Sequence, residues 1–482
     1  MIARGWESGL AWSSTAVAVG LALALGGLIG VVAVVGSPLV AATLLLAAGL
    51  VLVVLREPAL GLFALVGLAE LLPFAVVPGR LGIQLTGLEA ILGLTLGATV
   101  LRGLTWRERP RPSLSTWLLV GLLGLMGLAF VLSLGYTGAL AEVGRRLAKL
   151  GLAMLVFPLT LRLVQSVGRL RTLLGWFVLA SGLEALLAIG LYWLPRETMV
   201  RLLSILGPLG YPTGDSILRF LPGENDTYTD VIRATGTSID PNVLGGALML
   251  AAALGLVQLF SPRPVLSRWL LAPLSGGLVW AMLLSQSRGS WVGLAVGLLA
   301  LATLRYRRLW LALAPAALAV VLLPTGRALY GRVLGGFAGQ DKAAGMRLDE
   351  YRNALKIVGQ HPIFGIGFGS PPAIDLAPGV SSIYLTVAET TGLPALLLYL
   401  ALIGMLLGRG FRALLGPVRP DLQGFLASLL AALVAALTAG LFDHYWASTV
   451  FPHMVALFWL CGGLLWQTVE LNGAADQPGT RP

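Results

Sequence analysis

Residues 283–294 read LLSQSRGSWVGL. A guanidinium, Arg288, interrupts an apolar stretch, with Ser285, Gln286, Ser287 and Ser290 around it. At a bilayer centre a lone arginine costs roughly 2.5–3.5 kcal/mol on insertion scales. The runs on either side, about 268–286 and 289–305, are apolar and close to the length a spanning helix needs. Arg288 therefore reads as a turn residue between two membrane spans, and the class of the chain follows from that reading.

The composition agrees. The chain has 482 residues, 57% hydrophobic and 11% charged, with a mean hydropathy of +0.87. Soluble globular chains carry about 25% charged residues. An all-α integral membrane protein is expected. Fourteen candidate spans can be read, at about 12–35, 38–55, 58–77, 85–102, 115–134, 145–164, 172–194, 241–260, 268–286, 289–305, 308–324, 382–407, 421–442 and 449–468. Several are short and two suit re-entrant segments, so twelve to fourteen spans are expected. The divisions are N-terminal spans (1–194), a long loop (195–240), spans containing the Ser-Arg-Gly turn (241–324), a larger loop (325–381), C-terminal spans (382–468) and a polar tail (469–482). The net charge is 33 − 22 = +11. These basic residues sit between apolar runs, so they point to membrane topology and not to nucleic acid. The one cysteine, Cys461, excludes a disulfide framework and a Cys-based metal site. The first apolar run is longer than a signal-peptide core, so no cleaved leader is expected.

Charge orients the bundle. With the N-terminus in the cytoplasm, the cytoplasmic connections hold Arg56; Arg102, Arg107, Arg109 and Arg111; Arg162, Arg169 and Arg171; Arg263 and Arg268; Arg305, Arg307 and Arg308; Arg409, Arg412 and Arg419. The pattern obeys the positive-inside rule. It places both termini in the cytoplasm and both long loops outside. Arg145, Arg146, Lys149 and Arg288 then stand on the outer side against the trend. Arg145 and Lys149, four residues apart, share a helical face. Two readings stay open for these residues: stems that snorkel to headgroups, or an outward-facing anion site.

The outer loops carry further signals. In loop 195–240, Met199, Leu202, Leu203 and Leu206 share one face of a short interfacial helix. The segment GENDTYTD (223–230) offers Glu224, Asp226 and Asp230 as oxygen ligands, but its spacing fits no EF-hand, and a solvated loop is the better reading. In RATGTSIDPNVLGG (233–246), Asp240 suits an N-cap and Pro241 the first turn of a helix, with Arg233 just upstream. A helix N-terminus beside an arginine suits an anion. In loop 325–381, Leu348, Tyr351, Leu355 and Val358 repeat with helical spacing, while Arg347, Arg352 and Lys356 lie on other faces. GIGFG (365–369) lacks the strand–helix context of a nucleotide fingerprint and reads as a turn against the membrane.

These segments, taken in order, resemble the O-antigen ligase/O-antigen polymerase family of bacterial envelope glycosyltransferases. RATGTSIDPN resembles its Arg…Gly-Thr…Pro-Asn helix start, and LLSQSRGSWVGL its Ser-Arg-Gly turn. MRLDEYRNALKIVGQHPIFGIGFGS (346–370) resembles its outer-loop pattern of an arginine, an amphipathic helix and spaced glycines. SSIYLTVAETTGLPALLLYL (381–400), with Tyr384, Glu389 and Gly392, resembles the following helix, and LFDHYW (441–446) the acidic segment near the last helices. The likeness spans about 230–465.

The resemblance implies a GT-C type enzyme in the bacterial plasma membrane. Its expected partners are an undecaprenyl-pyrophosphate-linked glycan donor, a glycan or glycolipid acceptor and the lipid bilayer; no cofactor or metal is expected. It implies that Arg288 and Arg347 bind the pyrophosphate or its sugar. The anion reading adds Arg233, Arg145, Arg146, Lys149 and Arg352 to the substrate-binding set, with Ser381 and Tyr384 beside them. The family pattern has a histidine where this chain has Ser381, and a serine is no base near neutral pH. Asp443 and His444, with the intramembrane Glu389, are therefore the catalytic candidates. His361 reads as a helix-end residue and His453 as structural; Glu70, Glu89 and Glu184 lie in spans without a role. A secondary transporter of a small anion and an inactive envelope-assembly scaffold are the alternatives.

Overall fold

The computed structural model describes residues 38–77, 85–105, 113–135, 138–222, 228–322, 330–331, 334–335, 342–368 and 379–473. The first candidate span, Arg107, Arg109, Arg111, Glu224, Asp226 and most of the polar tail lie outside the described residues.

The first helices are α1 (Pro38–Arg56), α2 (Ala59–Leu71), α3 (Gly87–Thr105), α4 (Leu114–Leu132), α5 (Leu140–Met154), α6 (Val156–Leu163) and α7 (Val167–Trp193). After α8 (Arg196–Ser204) comes an antiparallel pair, β1 (Phe220–Pro222) and β2 (Tyr228–Ile232), with Phe220 opposite Ile232. The centre of the chain forms α9 (Pro241–Leu259), α10 (Arg268–Leu284), α11 (Arg288–Leu304) and α12 (Trp310–Leu322). The last helices are α13 (Lys342–Gln360), α14 (Ile383–Thr391), α15 (Leu393–Leu415), α16 (Gln423–Ala439) and α17 (Pro452–Gly473). Among the described residues, five helices (α4, α7, α9, α15 and α17) are long and apolar enough to cross a membrane. Shorter apolar helices, among them α2, α10, α11 and α16, fill the bundle. The chain is an all-α integral membrane protein.

The axis of the bundle is α9. It is buried on nearly every face, as expected of a helix that is apolar all round. It packs against α7, α10, α11, α16 and α17. Small residues allow this. A Cβ on Gly245 would lie 2.7 Å from Ser287 Cβ, and one on Gly246 2.7 Å from the Tyr445 ring. The opening stretch is explained by the same physics. Gly289, Gly293 and Gly297 recur every four residues on α11. Added Cβ atoms would meet Ala435 O at 2.6 Å from Gly293 and Ala431 O at 2.4 Å from Gly297. Close approach of α11 to α16 thus requires glycine on one helix and alanine on the other.

Several expected spans are broken. The run 145–164 divides at Leu155, because Pro158 has no N–H for the carbonyl four residues back. The run 382–407 divides at Gly392, whose φ is 91°; Pro394 follows in the first turn of α15. The run 58–77 ends as a helix at Leu71, ahead of Pro73. The glycine-spaced segment crosses the second break. Ile366 N–H donates to Glu389 O at 2.8 Å, and Gly367 N–H to Thr390 O at 2.9 Å. Gly365, at φ 62°, lies so close that a Cβ would sit 2.4 Å from Glu389 O. In α8, Met199 and Leu203 are buried against Ile217, but Leu202 is exposed and lies off the shared face expected for it.

The arginines at the far end of α9 have local partners. Arg169 pairs with Glu57 at 3.2 Å, Arg171 donates to Pro264 O at 2.9 Å, and Arg268 donates to Ser261 O at 2.7 Å. Arg409 pairs with Glu470 at 2.8 Å. The candidate site lies at the other end.

Candidate functional site

The site is built on the N-terminus of α9. Asp240 is the N-cap: its Oδ1 accepts from Asn242 N–H at 2.7 Å and Val243 N–H at 3.1 Å. Pro241 occupies the first turn, where its missing N–H costs nothing. Asn242 Oδ1 accepts from Arg233 Nη2 at 2.7 Å, and Arg233 Nε donates to Ser285 O at 2.9 Å. Arg233 is thereby stapled to the turn that carries Arg288. That residue is half-buried and opens α11. Two residues here hold left-handed backbone without being glycine, Ile239 at φ 60° and Gln286 at φ 58°. Such residues cost on the order of 1–3 kcal/mol and persist where surroundings enforce them.

Helix α13 lies across this end. Tyr351 Oη is 2.6 Å from Leu441 O and 3.2 Å from Ser381 O. Glu350 Oε2 accepts from Ser381 N–H at 3.0 Å. Arg347, half-buried and one turn earlier, faces the turn between α16 and α17 that holds Asp443 and His444. Burial pushes the Asp443 carboxyl up to about 7. The Arg347 and Arg233 guanidinia and the His444 backbone N–H, at 2.9 Å, pull it back, while Asp240 adds to the rise. Burial also lowers the His444 imidazole, against the carboxylates of Glu350 and Asp240. The burial favours the uncharged ring. Its Nδ1 is 3.8 Å from Asp443 Oδ1, too far for a hydrogen bond.

Beside this turn a cavity of about 570 Å³ opens. Glu350, Glu389, His444 and Arg146 line it together with hydroxyl side chains, among them Ser381, Thr386, Thr390 and Ser448. Leu122, Met126, Leu150, Met154, Val455 and Trp459 supply its apolar lining. Glu389 is buried, and its Oε1 accepts from Gly379 N–H at 2.8 Å.

The expected residues divide accordingly. Arg233, Arg347 and Asp443 converge, and Arg288 opens the helix at the same turn. Glu389, Ser381, His444 and Arg146 line the cavity. The rest lie apart. Arg145 is exposed. Lys149 pairs with Glu89 of α3, so its charge serves helix packing, not an open anion site as expected from its face. Arg352 is exposed and pairs with Asp349 at 3.1 Å. Tyr384 Oη donates to Leu437 O at 2.9 Å, a bond between helices. Arg146 also pairs with Glu142. His361 is exposed at the end of α13. His453 is buried, its ring 5.0 Å from that of Phe74. Sequence reasoning missed Glu350, which follows Asp349 on an amphipathic helix and looks like any solvated acid. It also left Asn242 without a role, although the Pro-Asn pair opening α9 was the available signal. Among the described residues, no three His, Cys, Asp or Glu side chains converge as metal ligands.

Residues 273–400 match the family model described as O-antigen ligase. That stretch of the chain is similar to the O-antigen ligase family. No curated protein matches the chain. The matched residues include Arg288, Arg347, Glu350, Ser381 and Glu389. Arg233, Asn242, Asp443 and His444 fall outside the matched residues and are brought to them by the fold. The O-antigen ligase match supports a membrane glycosyltransferase-type role in envelope glycan assembly.

Proposed function

We propose that the chain moves a glycan from an undecaprenyl-pyrophosphate carrier to a glycan or glycolipid acceptor on the outer side of the plasma membrane. The observation that carries this reading is that Arg347 and Arg233 act on one carboxyl, Asp443, whose chain neighbour His444 lines a cavity walled in part by apolar side chains. Arginine's planar fork suits phosphate oxygens and keeps its charge. The arginines gathered at the opposite end of the bundle, among them Arg169, Arg171, Arg268 and Arg409, support cytoplasmic termini and an outward-facing site.

In the proposed reaction the acceptor hydroxyl oxygen attacks the anomeric carbon. The bond from that carbon to the pyrophosphate oxygen breaks, and the pyrophosphate leaves with the electron pair. Its growing negative charge is met by Arg347, Arg233 and Arg288. The hydroxyl proton passes to Asp443 or to the neutral His444. A carboxyl held near 7 suits proton transfer at neutral pH. Ser381 and His444 line the same cavity, so an imidazole reaches it from the α16–α17 turn although position 381 has none.

The test is turnover in proteoliposomes supplied with an undecaprenyl-pyrophosphate-linked glycan and a glycolipid acceptor. Arg347→Ala and Arg288→Ala should insert and fold yet lose about 10²-fold or more in transfer, the scale of losing one preorganised charge-stabilising group. Turnover at the wild-type rate by both variants would sink this reading.

A further inference from the structure

We propose that Glu184, far in sequence from the matched residues 273–400, is a positioning residue that sets Arg233 for the donor pyrophosphate. The proposal rests on the transfer reading above. Glu184 lies on α7 and is buried at 1% exposure. An acid in a spanning helix is expensive and calls for a reason. Its two carboxylate oxygens hold one residue of the following loop. Thr237 N–H donates to Oε1 at 2.7 Å, and Thr237 Oγ1 donates to Oε2 at 3.0 Å. The loop descends onto the carboxylate at Gly236, where φ is 52° and a Cβ would lie 2.1 Å from Oε1. Glycine is required there both for its backbone angle and for its lack of a side chain.

From this anchor the chain makes its tightest turn. Asp240 N–H donates to Ser238 O at 2.5 Å around Ile239, whose φ is 60°. A β-branched residue does not hold that conformation unless both flanks are fixed. Thr237 on Glu184 fixes one flank. The other is α9 itself, capped by Asp240. Asn242, in the first turn, then presents the oxygen that receives Arg233 Nη2 at 2.7 Å. Ser285 O holds Arg233 Nε at 2.9 Å from the opposite side. Glu184 therefore decides where Asn242 Oδ1 stands, and so the angle of the guanidinium. The Glu184 carboxyl group touches neither substrate nor reacting atoms.

The experiment compares Glu184→Ala, Glu184→Gln, Thr237→Val and Asn242→Ala in proteoliposomes, measuring KM for the lipid pyrophosphate donor and for the acceptor separately. Glu184→Ala should raise the donor KM about tenfold, the scale of one lost buried hydrogen bond, and leave the acceptor KM unchanged. Glu184→Gln keeps an oxygen for Thr237 N–H and should stay within about twofold of wild type. Adding Glu184→Ala to Asn242→Ala should raise the donor KM no further, because both act through one path. If Glu184→Ala does not fold, Thr237→Val carries the test with an expected rise of about threefold. An unmoved donor KM in the folded variants, or equal rises for donor and acceptor, overturns the role of Glu184 alone. Absence of transfer by the wild-type chain overturns the transfer reading and this proposal with it.

Discussion

Two polar regions meet at the turn between α16 and α17, and they are built from opposite chemistry. On one side, Arg233 and Arg347 act on a single carboxyl, and Arg288 opens α11 at the same turn. Backbone carbonyls, Asn242 and strained loops hold this side rigid. On the other, the cavity's polar lining joins Glu350, Glu389 and His444 to the hydroxyls of Ser381, Thr386, Thr390 and Ser448, with Arg146 as its one cation among the described residues, beside aliphatic and aromatic side chains. The first region suits an anion whose charge grows during the reaction. The second suits hydroxyl groups attached to something apolar. Asp443 and His444 are adjacent in the chain, yet Asp443 answers to the arginines and His444 to the cavity. The join between the two chemistries is a single peptide bond.

The largest effect should come from cutting the arginine side at its carboxyl. Asp443→Asn is expected to lower kcat about 10²-fold or more if that carboxylate accepts the proton. Wild-type turnover should rise with pH through about 7, and the variant should lack that rise. The linkage sign gives a second readout. The folded carboxyl is raised above its ordinary value of 3.8, so its contribution to stability is present at low pH and lost as pH climbs from about 4 through 7. Asp443→Asn should therefore melt above wild type at pH 8 and not at pH 4. A wild-type pH–rate profile that is flat from 6 to 8 would remove Asp443 from the proton path.

The cavity side should show the next effect. His444→Ala is expected to slow transfer about tenfold, and His361→Ala to leave it near wild type. Equal losses in the two would break the distinction drawn between a cavity histidine and an exposed one. Glu350→Ala should raise the acceptor KM about threefold, because Ser381 N–H loses its 3.0 Å partner at the cavity lining. A rise in donor KM instead would move Glu350 to the arginine side. The smallest effect belongs to Tyr384→Phe. It deletes the 2.9 Å bond to Leu437 O and should cost about 1 kcal/mol in a thermal melt, with turnover unchanged.

The fold was largely legible because bilayers permit few solutions. Apolar runs and basic loops sufficed to expect helices over nearly every described span. The breaks at Leu155 and Gly392 were less visible, since a proline or glycine in an apolar run marks a kink only once its neighbours are known. The site was legible in part. Asp240 was expected as an N-cap, and it caps. Lys149 was grouped with the anion binders because its helical face allowed it. Glu89, sixty residues earlier, claims it instead. Helical spacing reports which residues share a face and not which partner that face meets.

The amino-acid sequence by itself determined that this chain is a helical membrane protein and that arginines stand at the starts of its decisive segments. Hydropathy and charge are local properties, so a linear reading captures them. Only the tertiary structure decided which of those arginines share a carboxyl, that His444 enters the cavity where Ser381 stands, and that Glu184 anchors the loop leading to Arg233. Each of these depends on residues tens to hundreds of positions apart. Such distances are closed by helix packing through glycine and alanine, and no periodicity in the chain encodes them.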